Sequence, residues 1–321
     1  MFDVRADTCH ASTYLVRAAV TAPSPYNTQP WIFVADEDRG IEVHADSARR
    51  LPLADPSGRE LVISCGAALF NIRLAMRHLG FNPVVERFPR PADPAFVARV
   101  AWGAYRSPSR DDQRLFDTLR RRHTVRGPFL AEPIPASLAD ELREHARHAG
   151  ATLDFVADRT GRRQLAGLVR IAEDAYRSRP EYAAEQRRWT WWPGEPRYDG
   201  IPVDADVTHP EVAIFPAPAQ RWPSRTGPVA ILSTDRDDPA AWLRAGEALQ
   251  RVLLEAADQG VMAAFHTQPL AVPALRVRIR QTLSGGAFPQ MIFRLGCPPY
   301  VRPLPRRPVA EVLRAADSGL T

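Results

Sequence analysis

"CGAALFNIRLAMRHLGF", residues Cys65 to Phe81, and "AGEALQRVLLEAADQGV", residues Ala245 to Val261, follow one pattern. Gly66 and Gly80 align with Gly246 and Gly260, Ala68 with Ala248, Leu69 with Leu249, Ile72 with Val252 and Leu74 with Leu254. In the first, Cys65, Leu69, Ile72, Met76 and Leu79 recur at helical spacing; in the second, Ala245, Leu249, Val252 and Ala256 do. Each closes on a glycine suited to a left-handed C-cap. Strand-like runs precede them ("IEVHA", "PVAILSTD") and follow them ("PVVERF", "QMIFRLG"). The reading is two related α+β halves, 1–108 and 109–321, divided near "YRSPSRDDQ", Tyr105 to Gln113.

The second half is expected to open with a helix around "RLFDTLRRR". Another, "SLADELREHARHAG", starts at Ser137 with a capping-box-like pattern and stops at Gly150. Between Asp158 and Gly227 an amphipathic helix, "RRQLAGLVRIAEDAYRS", gives way to a stretch rich in proline and glycine. Four of the seven tryptophans, Trp189, Trp191, Trp192 and Trp222, fall there. So many aromatics argue against disorder, and long loops in compact domains are usually functional.

The chain has 321 residues, 45% hydrophobic and 25% charged, as in an ordinary soluble protein. It contains no run of eighteen apolar residues and no signal-peptide pattern, so a cytoplasmic, non-membrane protein is expected. Cys9, Cys65 and Cys297 are too scattered for a disulfide framework or zinc knuckle. A net charge of +5 could suggest nucleic acid, but all basic residues are arginine, interleaved with acids, and none is expected to bind it. His145 and His148 share a helix face without a third ligand, so no metal is expected. No P-loop, GxGxxG or Ser/His/Asp set is present, and no catalytic residue is identified.

"RRHTVRGPF", Arg121 to Phe129, places Arg122, Thr124 and Arg126 in alternation. On an extended segment they point one way and suit a phosphate dianion. The spacing fits equally a basic helix end offsetting its dipole. Arg306 and Arg307 near the C-terminus form another pair, of phosphate ligands or of surface charge.

"APSPYNTQPW", Ala22 to Trp31, together with "RHTVR", Arg122 to Arg126, and "RRP", Arg306 to Pro308, resembles the FMN-dependent nitroreductase superfamily. The stretch "RRLPLADPSGRELVISCGAALFNIRLA" resembles its Acg-like branch of mycobacterial dormancy-associated proteins. The resemblance implies a nitroreductase-like fold and FMN, with the phosphate on Arg122, Thr124, Arg126, Arg306 and Arg307. Ser24, Asn27 and Gln29 would meet the flavin ring from the proline-rich turn, which Trp31 anchors in the core. Phe265, His266, Thr267 and Gln268 would pass the other side of the ring. One half carries the "NTQPW" turn and the other the phosphate motif. Two fused halves would thus form an intrachain pseudo-dimer with one flavin, and the chain need not dimerise to bind it.

The activity implied is electron transfer from NAD(P)H to a nitroaromatic or quinone-type acceptor. The alternative is a flavin store or sensor of little turnover. The tryptophan-rich stretch, about 187–226 and including Trp189, Trp191 and Trp192, would then be a lid over the flavin.

Overall fold

Two sheets of four antiparallel strands, the first extended by one parallel strand, each carry one long helix. The structure, a computed structural model, describes residues 4–36, 40–125, 129–192, 194, 197–202 and 227–316. Arg126 and Trp222, both singled out above, lie outside the described residues.

The first unit runs α1 (Val4–Ala19), β1 (Trp31–Asp36), β2 (Gly40–Ala45), α2 (Arg59–His78), β3 (Phe81–Arg87) and β4 (Phe96–Tyr105). The second runs α3 (Arg110–Thr118), α4 (Ala136–His148), β5 (Thr152–Phe155), α5 (Arg159–Arg177), α6 (Pro180–Arg188), β6 (Thr190–Trp191) and β7 (Ile201–Pro202). It continues through β8 (Val229–Thr234), α7 (Pro239–Asp258), β9 (Met262–Phe265), α8 (Pro273–Thr282), β10 (Phe288–Gly296) and β11 (Leu313–Ala315).

The sheet orders are β11-β1-β2-β4-β3 and β5-β8-β10-β9. Without β11 they are the same arrangement, antiparallel throughout, with α2 and α7 in the same place between second and third strands. Both helices are 20 residues long and exit through left-handed glycines, Gly80 at φ 87° and Gly260 at φ 75°. They cross where Gly66 meets Gly246, letting the two backbones touch.

The cores interlock there. Ile63 of α2 is buried in the second hydrophobic core, while Leu243 and Leu254 of α7 are buried in the first. Asn71 accepts a hydrogen bond from Gln250 at 2.8 Å, and Glu247 pairs with Arg73 and Arg87. Trp31 and Phe33 are fully buried in the first core, so β1 fixes the turn that precedes it.

The two units differ most at two connections: the β3–β4 link carries no helix where the β9–β10 link carries α8, and the link after the first strand differs more. Residues 37–39 join β1 to β2, whereas the corresponding β5–β8 link includes α5, α6 and the β6–β7 ribbon. The tail after β10 crosses to the first unit, where β11 lies parallel to β1, Phe33 opposite Leu313.

Several boundaries differ from those the sequence suggests. The helix expected at Ser137 begins at Ala136 with Pro135 as N-cap and no side-chain cap. The capping box belongs instead to α3, where Ser109 and Asp112 bond reciprocally. Pro135 already sets an extended entry, so Ser137 falls within the first turn. Strand β9 was not expected, because four small and apolar residues carry no distinctive period.

Candidate active site

A cavity opens between the units, walled by Ile63, Ser64 and Ala67 of α2, Leu249 of α7 and Met291 of β10. Its lining falls into parts of different chemistry.

In one part the proline-rich turn meets the segment after α3 and the C-terminal tail. Ser24, Asn27, Thr124 and Arg306 all line the cavity here. Past α3 the chain does not extend at once: Arg122 N–H still donates to the Thr118 carbonyl at 3.0 Å, and only then does Thr124 bridge Ala263 in parallel, with Val125 N–H donating to the Ala263 carbonyl at 2.9 Å. Arg122 stands just behind, 3% exposed, and its Nη2 donates to the Thr21 carbonyl at 2.9 Å. Arg306 Nη2 approaches the same carbonyl at 3.4 Å, and its Nη1 donates to Asn27 Oδ1 at 2.8 Å.

Two guanidinium groups thus converge just past the C-terminal end of α1, whose dipole offsets only part of their repulsion. Burial, then Arg306, lowers Arg122 to about 9. Among the described residues its Nε has no hydrogen-bond partner. Burial and the same two arginines lower His123, another lining residue, to about 4, so this imidazole is neutral at pH 7.

The turn is strained to fit. Tyr26, Asn27 and Gln29 adopt φ of 48°, 54° and 49°, each costing about 1–2 kcal/mol for a non-glycine residue. Side-chain bonds hold it. Ser24 Oγ accepts from Gln29 N–H at 2.9 Å, while Asn27 Nδ2 donates to the Pro305 carbonyl at 3.0 Å and the Gly200 carbonyl at 3.2 Å.

Gln29, expected at a flavin ring, is fully buried inside the turn. Its Nε2 donates to the Tyr198 carbonyl at 2.7 Å, and its Oε1 accepts from Arg307 N–H at 2.8 Å. Arg307 is likewise directed inward, to the Gln29 and Trp31 carbonyls, rather than to the cavity. Gln29 is itself a left-handed residue of the turn, which breaks the alternation a straight strand would give.

Another part of the lining is rich in acceptors and aromatic. Thr267 and Gln268 line it with Phe265, but His266 between them is 1% exposed and accepts from Arg294 Nε at 2.7 Å through Nε2. Burial first, then Arg294, pushes His266 well below its ordinary value. Gln268 Oε1 is buried without a partner among the described residues.

The roof comes from the β5–β8 connection. Tyr176 and Tyr182 line the cavity, stacked at 4.1 Å, and Tyr182 OH shares a 2.8 Å hydrogen bond with Tyr26 OH. Ile201 closes the same side. None of Trp189, Trp191 and Trp192 lines it: Trp189 is buried under Arg49 and Arg188, and Trp192 is 57% exposed. Among the described residues of this connection, Tyr176, Tyr182 and Ile201 line the cavity and the indoles do not; residues 203–226 of the expected lid lie outside the described residues.

Sequence reasoning passed over Glu60, Tyr26, His123, Tyr176 and Tyr182. A glutamate in the first turn of a helix looks like an ordinary dipole partner. The tyrosines come from three segments that only the tertiary fold brings together. Among the described residues no cluster of His, Cys, Asp and Glu could hold a metal ion, and no helix is long and apolar enough to cross a membrane.

The fold and cavity define an α+β protein with a cationic niche beside an apolar slot. A model of the Nitroreductase family matches residues 119–297. The chain belongs to that family. Two Mycobacterium tuberculosis proteins named "Putative NAD(P)H nitroreductase" are similar along nearly their whole length. The one called acg is 32% identical, covering 94% of this chain and 95% of the relative; Rv3131 is 30% identical, covering 92% and 88%. A Desulfitobacterium hafniense nitroreductase with bound FMN is 13% identical at a TM-score of 0.40, covering 61% of this chain and 94% of its own.

Proposed function

We propose that the chain is an FMN-dependent oxidoreductase that takes electrons from NAD(P)H and passes them to a quinone or nitroaromatic acceptor. One observation carries the reading: Arg122 and Arg306 converge on the Thr21 carbonyl beside a cavity lined by Ser24, Asn27 and Thr124. Two cations close enough to repel each other suit a phosphate dianion, which accepts charge-assisted bonds from both. The apolar slot between α2 and α7 suits a flat ring, and Gln268 Oε1 offers a buried acceptor in its lining. FMN supplies two-electron chemistry there; the protein holds the phosphate, orients the ring and excludes water.

The two sheets of equal strand order support a further reading, that 1–108 and 109–321 are fused nitroreductase-like halves forming one site between them. On this reading the tail bearing Arg306 and β11 returns to complete the first half. A single chain would bind one FMN, without dimerising. Flavin released by denaturation and counted against polypeptide tests it: one per chain is expected, while none, or two, overturns it.

The roof favours restricted access, hence slow turnover or flavin storage. It is pinned by Arg49 to Asp199 at 2.9 Å, by Glu185 accepting from Leu53 and Ala54 N–H, and by the Gly200–Asn27 backbone bond at 3.2 Å. In this proposal the lid is centred on Tyr176, Tyr182 and Ile201, with Trp189 and Trp191 bracing it and Trp192 exposed beside them. NAD(P)H oxidation followed at saturating quinone measures how far it restricts the enzyme.

A further inference from the structure

The acceptor-rich part of the cavity lining contains one carboxyl group, Glu60 in the first turn of α2. It is 7% exposed. Its Oε1 accepts from Arg59 Nη2 at 3.1 Å, and its Oε2 is reached by Thr267 Oγ1 at 3.4 Å. Arg59 is shared: its other nitrogen, Nη1, donates to Gln290. The charged groups acting on Glu60 from its surroundings are Arg59, Asp55 before α2 and Arg276 of α8. Beyond them Asp237 pairs with Arg276, and Tyr26, Tyr176, Tyr182 and Glu185 lie on the roof side.

Other groups lining the cavity cannot exchange a proton near neutrality. Burial raises Tyr26, Tyr176 and Tyr182, and His123 has fallen to about 4 beside the two arginines. We propose that Glu60 is the resident acid of the site: it takes up a proton when the cavity fills and gives that proton to the oxygen of an acceptor reduced there. The proposal rests on the FMN reading above.

Burial already lifts Glu60 to about 7, against the pull of Arg59, and displacing water from the cavity pushes the same way. Reduction of a quinone to its hydroquinone consumes one hydride and one proton. The hydride derives from NAD(P)H, leaving the oxidised nicotinamide. The proton leaves the Glu60 carboxyl for the quinone oxygen, leaving a carboxylate held by Arg59 and Thr267. Solvent then reprotonates it when the product departs.

The test titrates FMN into apo-protein at pH 7.5 by calorimetry, in buffers of different ionisation enthalpy, for wild type and Glu60→Gln. Ionisation of the FMN phosphate is common to both and cancels. Wild type should take up more protons than E60Q, and its FMN affinity should weaken above pH 7 by up to about tenfold per pH unit while that of E60Q does not. Equal proton uptake in the two proteins overturns the proposal. Failure of both to bind FMN overturns the cofactor reading and this inference with it. If E60Q does not fold, infrared difference spectra of wild type must show a protonated carboxyl band gained on FMN binding; its absence is equally decisive against it. With NADPH and 1,4-benzoquinone, E60Q should lose about 10²-fold or more in kcat. A wild type no faster than E60Q removes the proton-donor role.

Discussion

Gly66 of α2 and Gly246 of α7 face each other where the two halves cross. A Cβ on either would press on the other's Cα, at 3.0 and 2.9 Å, and on a backbone carbonyl, that of Leu243 or Ile63. The contact is reciprocal, each glycine meeting the carbonyl three residues before its partner. Backbone cannot yield as a side chain can. Alanine would gain about 1 kcal/mol in helix propensity, yet overpacking at so tight a crossing costs about 1–3 kcal/mol or more. Gly66→Ala and Gly246→Ala should therefore each lower stability, and the pair by less than the sum, because they share one contact. Urea unfolding of the three variants decides it; a neutral Gly246→Ala would mean the helices can slide apart at no cost.

Arg122 should matter to a bound anion more than to the fold. Arg122→Ala removes a charge-assisted contact worth roughly 1.5–3 kcal/mol, so FMN should bind about 10- to 150-fold more weakly. Stability without ligand should stay level or rise, since Arg306 is relieved of a like charge. Fluorescence titration and thermal melts of the same sample separate the effects. A variant that loses stability but keeps FMN affinity would return Arg122 to a structural role.

Glu173 of α5 makes the fold pH-dependent. It is 5% exposed, its Oε1 lacks a partner among the described residues, and burial raises it from 4.5 to about 7. Its folded value lies above its unfolded one, so the native state holds the proton more tightly between those two points. The contribution is full below 4.5 and is lost as pH rises to about 7. Glu173→Gln should be near neutral at pH 4.5 and stabilising by about 2–3 kcal/mol at pH 8. Denaturant midpoints of both proteins across that range provide the check; a pH-independent difference would exclude titration of Glu173 as the cause.

The roof assigns different effects to neighbouring aromatics. Tyr182→Ala removes a lining ring and the bond to Tyr26, and should speed NAD(P)H oxidation several-fold. Trp192→Ala, on a side chain 57% exposed, should change it little. Steady-state rates with one quinone compare them. Equal acceleration by both would put the indoles, not the tyrosines, over the opening.

The repeat was legible because it is local: a glycine, an apolar period and a C-cap glycine recur with a constant offset, and each signal needs only a few neighbouring residues. Ser24, Asn27, Thr124, Thr267, Gln268 and Arg306 could be picked from their motifs for the same reason, and all line the cavity. Gln29, His266 and Arg307 come from the same motifs but face inward. Residue type predicts that a group will bond, whereas its partner depends on the direction of the backbone. For Gln29 that direction is set by its own left-handed backbone.

Local pattern, then, determined by itself the two helices, most strands that flank them and the polar residues competent to hold an anion, since these follow from periodicity and side-chain chemistry. Tertiary structure alone decided the glycine crossing, the return of β11 to the first sheet and the tyrosine roof, because each joins segments far apart in the chain. It also made Glu60 unusual: a surface glutamate ionises near 4.5, and only burial at the wall of a cavity brings it to about 7.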